Sequence, residues 1–581
     1  MKKDLCCTTD FMDNLLSPRG HEHGLEANLF DFRPEHIDAL MAYCAGIGAT
    51  RHEWLALGGL SPFYGPNSPL DYDVLHIACE ASHRHGMRFD TVLKPFEGGW
   101  YGHGTNGKLP LSLPRPEGAA CIECIDGLVC GVRSSIVEHP EMQFERDPAD
   151  LADPGGAVRV IRLINRSDAE TGLADATFAI WFSRDGTGRS IETYDGPINV
   201  EETVEYRPQL PYHEQSARIV SLTNLRIPAD ASHIIVRCEK EGAVALENEI
   251  HQVVELENDA GASIPAFPAP GPITEAVIGR WRRKAALDPY LSLPEVRSVL
   301  DDDAALAAHV EAANRLRTKC LGANPTQIAL KSGEEGELVI MRGKPRYVDS
   351  VLNPIYPEVR EHWLDMVRLC LERDVDGVNI RVQDHNYAFE PWAFGFNPPT
   401  MERMEHPDNM AEAAKINGDA YTSFLREAAK LVHDAGKDFG VHVYSTMLGT
   451  DERPGVWWMT LIPELQIEWQ WETWIREIAD YVEFRGAFTL RPESVKRAVD
   501  RIGLVARQAG KKFIYQSSRA ADVVSFDGPH DHLAWEIENI VRNHPDINIY
   551  NLYETACFTR FDEKGEMKGS TAVADLVRKL V

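Results

Sequence analysis

The sequence GVNIRVQD at residues 377–384 decides the fold, because it is an apolar strand that ends in polar residues. A helical pattern precedes it, with apolar residues from Val359 to Cys370 on one face. Further pairs of helix and strand follow, and the predicted strands are residues 439–444, 480–485, 512–517 and 547–554. Strands that alternate with helices predict a parallel sheet.

The same alternation occurs near the N-terminus. Strands are predicted at residues 25–32, from residue 49 into Arg51-His52-Glu53-Trp54, and at residues 87–94, with helical faces between them. Three early strands and five late strands make eight. Eight parallel strands with intervening helices are the number that closes a TIM-type (β/α)8 barrel, so the predicted fold class is α/β.

Between the two groups of strands, helical periodicity is lost. Short alternating runs such as residues 158–164, 177–182 and 233–238 are separated by turn residues, which predicts an inserted antiparallel β-sandwich. A Pro-rich stretch at residues 265–272 closes this insert. We therefore predict a first part of the barrel at residues 1–100, the sandwich at 101–270, a mostly helical connector at 271–345 and a second part of the barrel at 346–581.

The composition excludes several classes of function. Among 581 residues, 60 Lys and Arg stand against 89 Asp and Glu, and the net charge of -29 would repel nucleic acid and anionic membranes. No apolar run approaches the roughly 20 residues that span a bilayer. The N-terminus has no secretory signal, which predicts a cytoplasmic protein. The sequence does not predict the oligomeric state.

The cysteines predict reduced thiols rather than a disulfide framework, because there are 11 of them, an odd number, scattered along the chain. Cys121, Cys124 and Cys130 form one cluster, but no fourth zinc ligand lies at a suitable spacing. We therefore expect no metal and no cofactor.

Polar residues collect at the carboxyl ends of the predicted strands, where a barrel of this type has its active site. In chain order they are Arg51, His52, Glu53, Lys94, Arg381, Gln383, Asp384, His385, His442, Tyr444, Glu483, Arg485, Asn551, Tyr553 and Glu554. Any one of them alone is more often a solvated or ion-paired side chain. Their collection around one ring favours a functional mouth, because unpaired buried charges are costly.

Paired carboxylates suit the cleavage of glycosidic bonds. Strand spacing ranks Asp384 with Glu483 first, as general acid/base and as nucleophile or water-activating base. Asp384 with Glu554 ranks below this pair, because the two come from opposite sides of the ring. Glu53 remains a third candidate. The structural alternative is that Asp384 only forms an ion pair with an arginine.

Other side chains at the mouth would bind substrate. Trp469 and Trp471 follow the fifth strand and could stack on sugar rings. The three histidines and Tyr444 would bond sugar hydroxyls. Glu53 is a further substrate-binding candidate. Three cations indicate an anionic sugar, such as a uronate or sulfate ester, or else balance the carboxylates. These cations are Arg51, Lys94 and Arg381.

Two segments resemble a known family. DYDVL at residues 71–75, continuing to LKPF at 93–96, and LNPIYPEVR at 352–360, followed by VDGVNI at 375–380, resemble the glycosyl-hydrolase-like family 10 barrels. The resemblance implies action on a glycan. Members of that family place an aspartate directly after the fourth strand, whereas this sequence has Arg381 there and Asp384 three residues later. The inserted sandwich is not part of the family pattern.

The sequence thus predicts a glycoside hydrolase with a carbohydrate substrate. Two alternatives stay open. One is a glycan-binding protein without turnover. The other is a metal-dependent barrel hydrolase or isomerase that uses His52, Glu53, Asp384, His385 and His442.

Overall fold

A computed structural model gives the conformation of most of the chain. It describes residues 2–10, 33–56, 72–96, 124–125, 128–129, 140–165, 168, 173, 176–184, 191–206, 216–238, 251–268, 302–305, 329–332, 335–344, 346–382, 391–448, 466–485, 492–517, 526, 530–561 and 566–580.

Eight parallel strands form a closed barrel in chain order, which confirms the predicted fold class. They are β1 (Asp4–Asp10), β2 (Ala49–Ala56), β3 (Arg88–Leu93), β4 (Gly377–Ile380), β5 (Asp438–Tyr444), β6 (Tyr481–Arg485), β7 (Lys512–Gln516) and β8 (Ile549–Tyr553). The ring closes because β1 pairs with β2 on one side and with β8 on the other, Cys6 lying opposite both Arg51 and Asn551.

The predicted first strand is wrong. Asp4–Asp10 occupies that place in the ring, and the predicted segment 25–32 lies outside the described residues. Residues 4–10 read DLCCTTD, so the side chains that alternate between the two faces are small or polar rather than strongly apolar. The other seven strands lie where the sequence predicts them.

Helices separate the strands as the alternation predicts. They are α1 (Pro34–Gly46), α2 (Val74–Arg84), α3 (Pro357–Leu371), α4 (Met410–Asp434), α5 (Pro492–Ala509), α6 (Asp531–Glu536) and α7 (Thr571–Val577), with single π-helical turns at Trp474–Ile478 and Ile537–Val541. Local signals set their ends: the Asp73 carboxylate accepts a bond from the His76 amide at the start of α2, and Gly86 adopts a positive φ beyond its end.

The insert contains two antiparallel sheets. One has the strand order Asn199–Tyr206, Ser216–Thr223, Val158–Asn165, His251–Asn258 and Ser263–Ile264. The other has the order Ala266–Pro268, Glu335–Arg342, His233–Cys238, Phe178–Ser183 and Ile191–Thr193, with Ala329–Ser332 also paired to Glu335–Arg342. Both sheets contribute side chains to one apolar core, as in a sandwich.

The predicted connector is not mostly helical where the structure describes it. Residues 329–332 and 335–342 are strands of the second sheet, although residues 303–305 are helical. The alternating apolar residues Leu338 and Ile340 explain the difference, since they fill the sandwich core.

The remaining short elements are Gln143–Glu145 paired with Tyr347–Leu352, Cys124–Ile125 paired with Leu128–Val129, and Thr559–Phe561 paired with Met567–Gly569. Short helical turns lie at Pro140–Met142, Pro148–Leu151, Pro391–Ala393, Pro398–Met401, Ser445–Leu448, Trp471–Thr473 and Thr555–Phe558.

The chain divides into two compact units. The barrel unit comprises Met1–Gly98, Pro354–Asp384 and Arg403–Val581, and the sandwich unit comprises Gly99–Asn353 and His385–Glu402. Among the described residues, no helix is long and apolar enough to cross a membrane.

Candidate active site

The barrel interior contains polar side chains at every depth, together with a small apolar cluster of Cys6, Tyr481, Ile514 and Ile549. Successive side chains of a strand point to opposite faces, so Arg51 and Glu53 of β2 point inward and His52 points outward. The ion pairs and hydrogen bonds of these side chains agree with this alternation. The inward side chains form three layers, from the N-terminal to the C-terminal ends of the strands.

The lower layer is an ion cluster around Asp90. Arg51 Nε lies 2.5 Å from the Asp90 carboxylate, and Arg88 donates to the same carboxylate at 2.9 Å. The Arg51 guanidinium also lies 4.2 Å from the centre of the Tyr481 ring, and a Cβ on Gly440 would overlap that ring. Arg51 was predicted at the mouth, but the structure places it in the N-terminal half of the barrel, where it neutralises Asp90.

The middle layer is a pair of carboxyl groups, Glu53 and Glu483, bridged by asparagine amides. Asn551 Nδ2 donates to Glu53 Oε2 at 2.8 Å and to Glu483 Oε1 at 2.6 Å. Asn379 Nδ2 donates to Glu483 Oε2 at 2.6 Å and lies 3.4 Å from Glu53 Oε1. All four side chains are fully buried. We call these four residues the carboxyl pair and its bridges.

The two carboxyl groups differ in the donors they receive. Glu483 also accepts a bond from Gln516 Nε2 at 2.9 Å, which gives it three short amide bonds. Glu53 accepts one short hydrogen bond, from Asn551 Nδ2. The Thr8 hydroxyl lies 3.4 Å from Glu53, but it donates its hydrogen to Asn551 Oδ1 at 2.8 Å. The ionised form of a carboxyl group needs more donors than the neutral form, so the proton belongs on Glu53.

The electrostatics agree with this assignment. Burial raises the pKa of Glu53 well above its usual range, and the charge of Glu483 raises it further. Burial also raises the pKa of Glu483, but bonds from Asn551 and Glu53 and the charge of Arg381 oppose that rise. The pair therefore holds one acid and one ionised carboxylate.

The upper layer lies at the carboxyl ends of the strands, and we call it the mouth cluster. It consists of Arg381, His442, Tyr444, Arg485 and Tyr553, all almost completely buried. Arg381 Nε donates to the Tyr444 hydroxyl at 2.9 Å. The Arg381 and Arg485 guanidiniums lie 5.0 and 4.3 Å from the centre of the same Tyr553 ring.

Two further predicted residues lie just beyond strand ends. Lys94 directly follows β3 and is fully buried. Glu554 directly follows β8, is 1% exposed, and lies 3.9 Å from the Cys557 thiol. Asp384 and His385, predicted as catalytic and substrate-binding residues, lie outside the described residues.

His52 lies on the outer face of the barrel, not at the mouth where the sequence analysis placed it. Its Nε2 is 3.0 Å from the Thr9 hydroxyl, and its ring stacks near Phe89. Bonds from Cys7 and His52 lower the pKa of the Cys44 thiol of α1 to about 6, so His52 faces the helix layer.

Trp469 and Trp471 were predicted to stack on sugars, but both pack within the barrel unit. The Trp469 ring lies 5.7 Å from Tyr421 and 6.1 Å from Trp474. Trp471 is 4% exposed and lies beneath the Arg501 guanidinium at 4.8 Å. These contacts anchor helices, as large aromatic side chains commonly do.

Two of the ligands in the metal-dependent alternative, His52 and Glu53, lie on opposite faces of β2. Because His52 points outward and Glu53 inward, one ion cannot contact both. In the part of the chain that the structure describes, no group of three or more His, Cys, Asp and Glu side chains could hold a metal ion.

Thr8, Asn379 and Gln516 were not predicted as site residues from the sequence. Asn379 and Gln516 lie within the predicted strands at residues 377–384 and 512–517, at positions with inward parity. A polar residue at an inward position of an otherwise apolar strand was the signal available for them. Thr8 lies in the strand that was not predicted.

Comparisons with known proteins show likeness to solved structures only. No protein-family model and no curated protein matches the chain. The chain is similar to the catalytic domain of β-amylase from Paenibacillus polymyxa, with 10% identity over 100% of this chain and 99% of that one and a TM-score of 0.27.

It is also similar to β-galactosidase from the psychrophilic Marinomonas ef1, with 10% identity over 52% of this chain and 57% of that one and a TM-score of 0.25. A third similar structure is Aspergillus fumigatus Ega3 in complex with galactosamine, with 11% identity over 41% and 65% and a TM-score of 0.18. The chain therefore spans less than two thirds of the length of the last two. At these TM-scores, the barrel assignment rests on the strand pairing described above.

Proposed function

We propose that this protein is a glycoside hydrolase that cleaves a poly- or oligosaccharide with Glu53 and Glu483. The observation that carries the proposal is the asymmetric carboxyl pair, in which Glu483 receives three short amide bonds and Glu53 one. Cleavage of a glycosidic bond needs one protonated and one ionised carboxyl group, and this pair supplies both at neutral pH.

Each member then has a definite role. Glu53 donates its proton to the glycosidic oxygen, so that the leaving sugar departs as an alcohol. Glu483 attacks the anomeric carbon as its bond to the leaving oxygen breaks. Ionised Glu53 then takes a proton from water, whose oxygen bonds the anomeric carbon and releases the sugar from Glu483. One nitrogen, Asn551 Nδ2, bonds an oxygen of each carboxyl group, at 2.8 and 2.6 Å, so the two groups lie close together. This fits the separation of about 5 to 5.5 Å in a retaining pair better than the 6.5 to 9.5 Å or so in an inverting pair.

Three sequence-based expectations belong to this proposal. Kinship with the glycosyl-hydrolase-like family 10 barrels rests on residues 71–96 and 352–380. A cytoplasmic location rests on the odd number and wide spacing of the 11 cysteines, which favour reduced thiols. Asp384 and Glu554 are the carboxylates to examine next if the pair is inactive.

The test is the substitution Glu483→Gln, assayed against a panel of neutral and anionic oligosaccharides by mass spectrometry. We expect turnover to fall by about 10² to 10⁴-fold, the usual contribution of one acid or base. The matched control is Glu536→Gln. Glu536 is equally buried, but it lies outside the interior and accepts bonds from Tyr515 and Tyr550 at 2.7 and 3.0 Å.

The folded fraction of the control should keep its turnover. Full activity of Glu483→Gln would refute the role of the pair. A wild-type protein that binds glycans and hydrolyses none would instead support the glycan-binding alternative.

A further inference from the structure

The mouth cluster concentrates positive charge. The Arg381 and Arg485 guanidiniums share the Tyr553 ring, and their side chains are 1% and 2% exposed. Two guanidiniums that are held on one ring concentrate positive charge at the mouth, and this charge attracts an anion. The Tyr444 hydroxyl fixes the plane of the Arg381 guanidinium through its bond to Nε. A planar guanidinium matches the two oxygens of a carboxylate.

His442 is the second, independent observation. It is 1% exposed, and neither ring nitrogen has a hydrogen-bond partner among the described residues. Burial lowers its pKa well below the usual range, and Arg381 and Arg485 lower it further. The neutral ring then offers one donor and one acceptor, and a buried polar group without a partner is costly.

Two more atoms in the interior need a donor. Asn379 Oδ1 and Gln516 Oε1 are buried and have no partner among the described residues, because both amide groups direct their nitrogens at Glu483. Both are acceptors only. A ligand that satisfies them must carry hydroxyl groups as well as the negative charge.

We propose that the barrel mouth binds a sugar that carries a carboxylate, a uronic acid residue, with Arg381 and Arg485 on the carboxylate and His442, Asn379 and Gln516 on the hydroxyl groups. This inference rests on the proposed function, whose substrate class it names. The sequence predicted Arg51, Lys94 and Arg381 as the cations that face the sugar. The structure instead favours Arg381 with Arg485. Binding of the sugar is separable from its hydrolysis.

The test is isothermal titration calorimetry of the full chain with D-glucuronate, glucose, glucose 6-sulfate and acetate. Glucuronate should bind at least about 10-fold more tightly than each of the others, because each of these lacks either the carboxylate or the hydroxyl groups. Equal affinity for glucose would overturn the proposal. Equal or tighter binding of glucose 6-sulfate would overturn the assignment to a carboxylate.

Substitutions of Arg485 test its role in binding glucuronate. Arg485→Gln should weaken glucuronate binding by about 10 to 100-fold and leave glucose binding unchanged. Arg485→Lys keeps the charge and should recover part of the loss, which covers the case in which the first variant does not fold. The control is Arg501→Gln, an arginine that also lies on an aromatic ring but is half exposed. An equal loss in this control would contradict the proposal.

The wild type separates the two proposals, because binding of glucuronate and hydrolysis of a glycan are measured independently. A wild type that binds glucuronate but hydrolyses no glycan fails the proposed function alone. A wild type that hydrolyses glycans but prefers glucose fails this inference alone.

Discussion

The sandwich core and the barrel interior are built on opposite principles. The sandwich core is a continuous cluster of apolar side chains from both sheets, such as Ile161, Leu222 and Ile340, each fully buried. The barrel interior is just as inaccessible to solvent, yet it contains ion pairs, a carboxyl pair, amides and guanidiniums. Apolar burial stabilises by about 25 cal/mol per Å², whereas each buried polar group needs a partner to avoid a penalty.

The contrast between the two interiors separates residues that serve stability from residues that serve function. The described side chains of the sandwich core are apolar and contact one another, so they require no ligand. In the barrel, His442, Asn379 and Gln516 keep polar atoms without partners among the described residues. Such atoms lower the stability of the fold, and they cluster where function needs them.

The largest effect expected is in the apolar core. Leu222→Ala should reduce the free energy of unfolding by about 2 to 5 kcal/mol, because it leaves a cavity between the sheets. Leu504→Ala, at a leucine of α5 that is 42% exposed, is the control and should cost less than about 0.5 kcal/mol. Urea unfolding of both variants measures the difference, and similar losses would mean that the sandwich core is loosely packed.

The second largest effect is expected at Asn551, which bridges the two carboxyl groups. Asn551→Ala should reduce stability by about 1 to 3 kcal/mol at neutral pH, since two buried carboxyl groups lose a donor. The loss should be smaller at pH 5, where a proton can replace the missing bond. Asn417→Ala is the matched control, because Asn417 is fully buried in α4 and donates to the Gln466 carbonyl. Its loss should be the same at both pH values.

The proton on Glu53 gives a pH signature. A carboxyl group whose pKa is raised on folding stabilises the folded state at low pH, and this contribution is lost as the pH rises from about 4.5 through the raised value. Glu53→Gln removes the titrating group, so its stability should fall less than that of the wild type between pH 5 and pH 8. The difference is about 1.4 kcal/mol for each unit by which the pKa is raised. Parallel curves in a series of denaturant titrations would place the proton elsewhere.

The smallest expected effect, opposite in sign to that of Glu53, is the pH dependence of stability due to His442. Because its pKa is lowered on folding, the folded state resists protonation, and stability is lost as the pH falls below about 6.5. His442→Gln should reduce this acid-side loss by less than about 1.4 kcal/mol per pH unit. Thermal unfolding at pH 7, 6 and 5 measures it. An unchanged slope would show that His442 does not titrate in this range.

Much of the barrel could be predicted from the sequence, because seven strands combine an apolar outer face with a helix on either side. The first strand could not. DLCCTTD puts Leu5, Cys7 and Thr9 outward and Cys6 and Thr8 inward, and neither set is apolar enough to mark a strand. The strands at residues 329–342 were missed for a related reason, since they follow a segment with a helical composition.

The sequence predicts which side chains point into the barrel, but not the layer in which each one lies. Period-two alternation in residues 51–53 already separates His52 from Arg51 and Glu53, so the sequence contained the signal that would have placed His52 outside. Which layer an inward residue occupies depends on the stagger between strands, which the sequence does not specify. That is why Arg51 was expected at the mouth and Glu53 was ranked below Glu483.

The pairing of β1 with β8 also determines when the barrel can be completed during synthesis. Thr8 contacts Asn551, and the Lys3 ammonium binds the His544 and Ile547 carbonyls at 2.7 and 2.6 Å. On the ribosome, β1 is made more than 500 residues before its partner β8, whereas both segments of the sandwich unit have been synthesised by residue 402. At about 5 to 20 residues per second, the sandwich has several seconds or more to fold first. Until then β1 presents a strand edge without its neighbour, which is a surface for chaperones to cover.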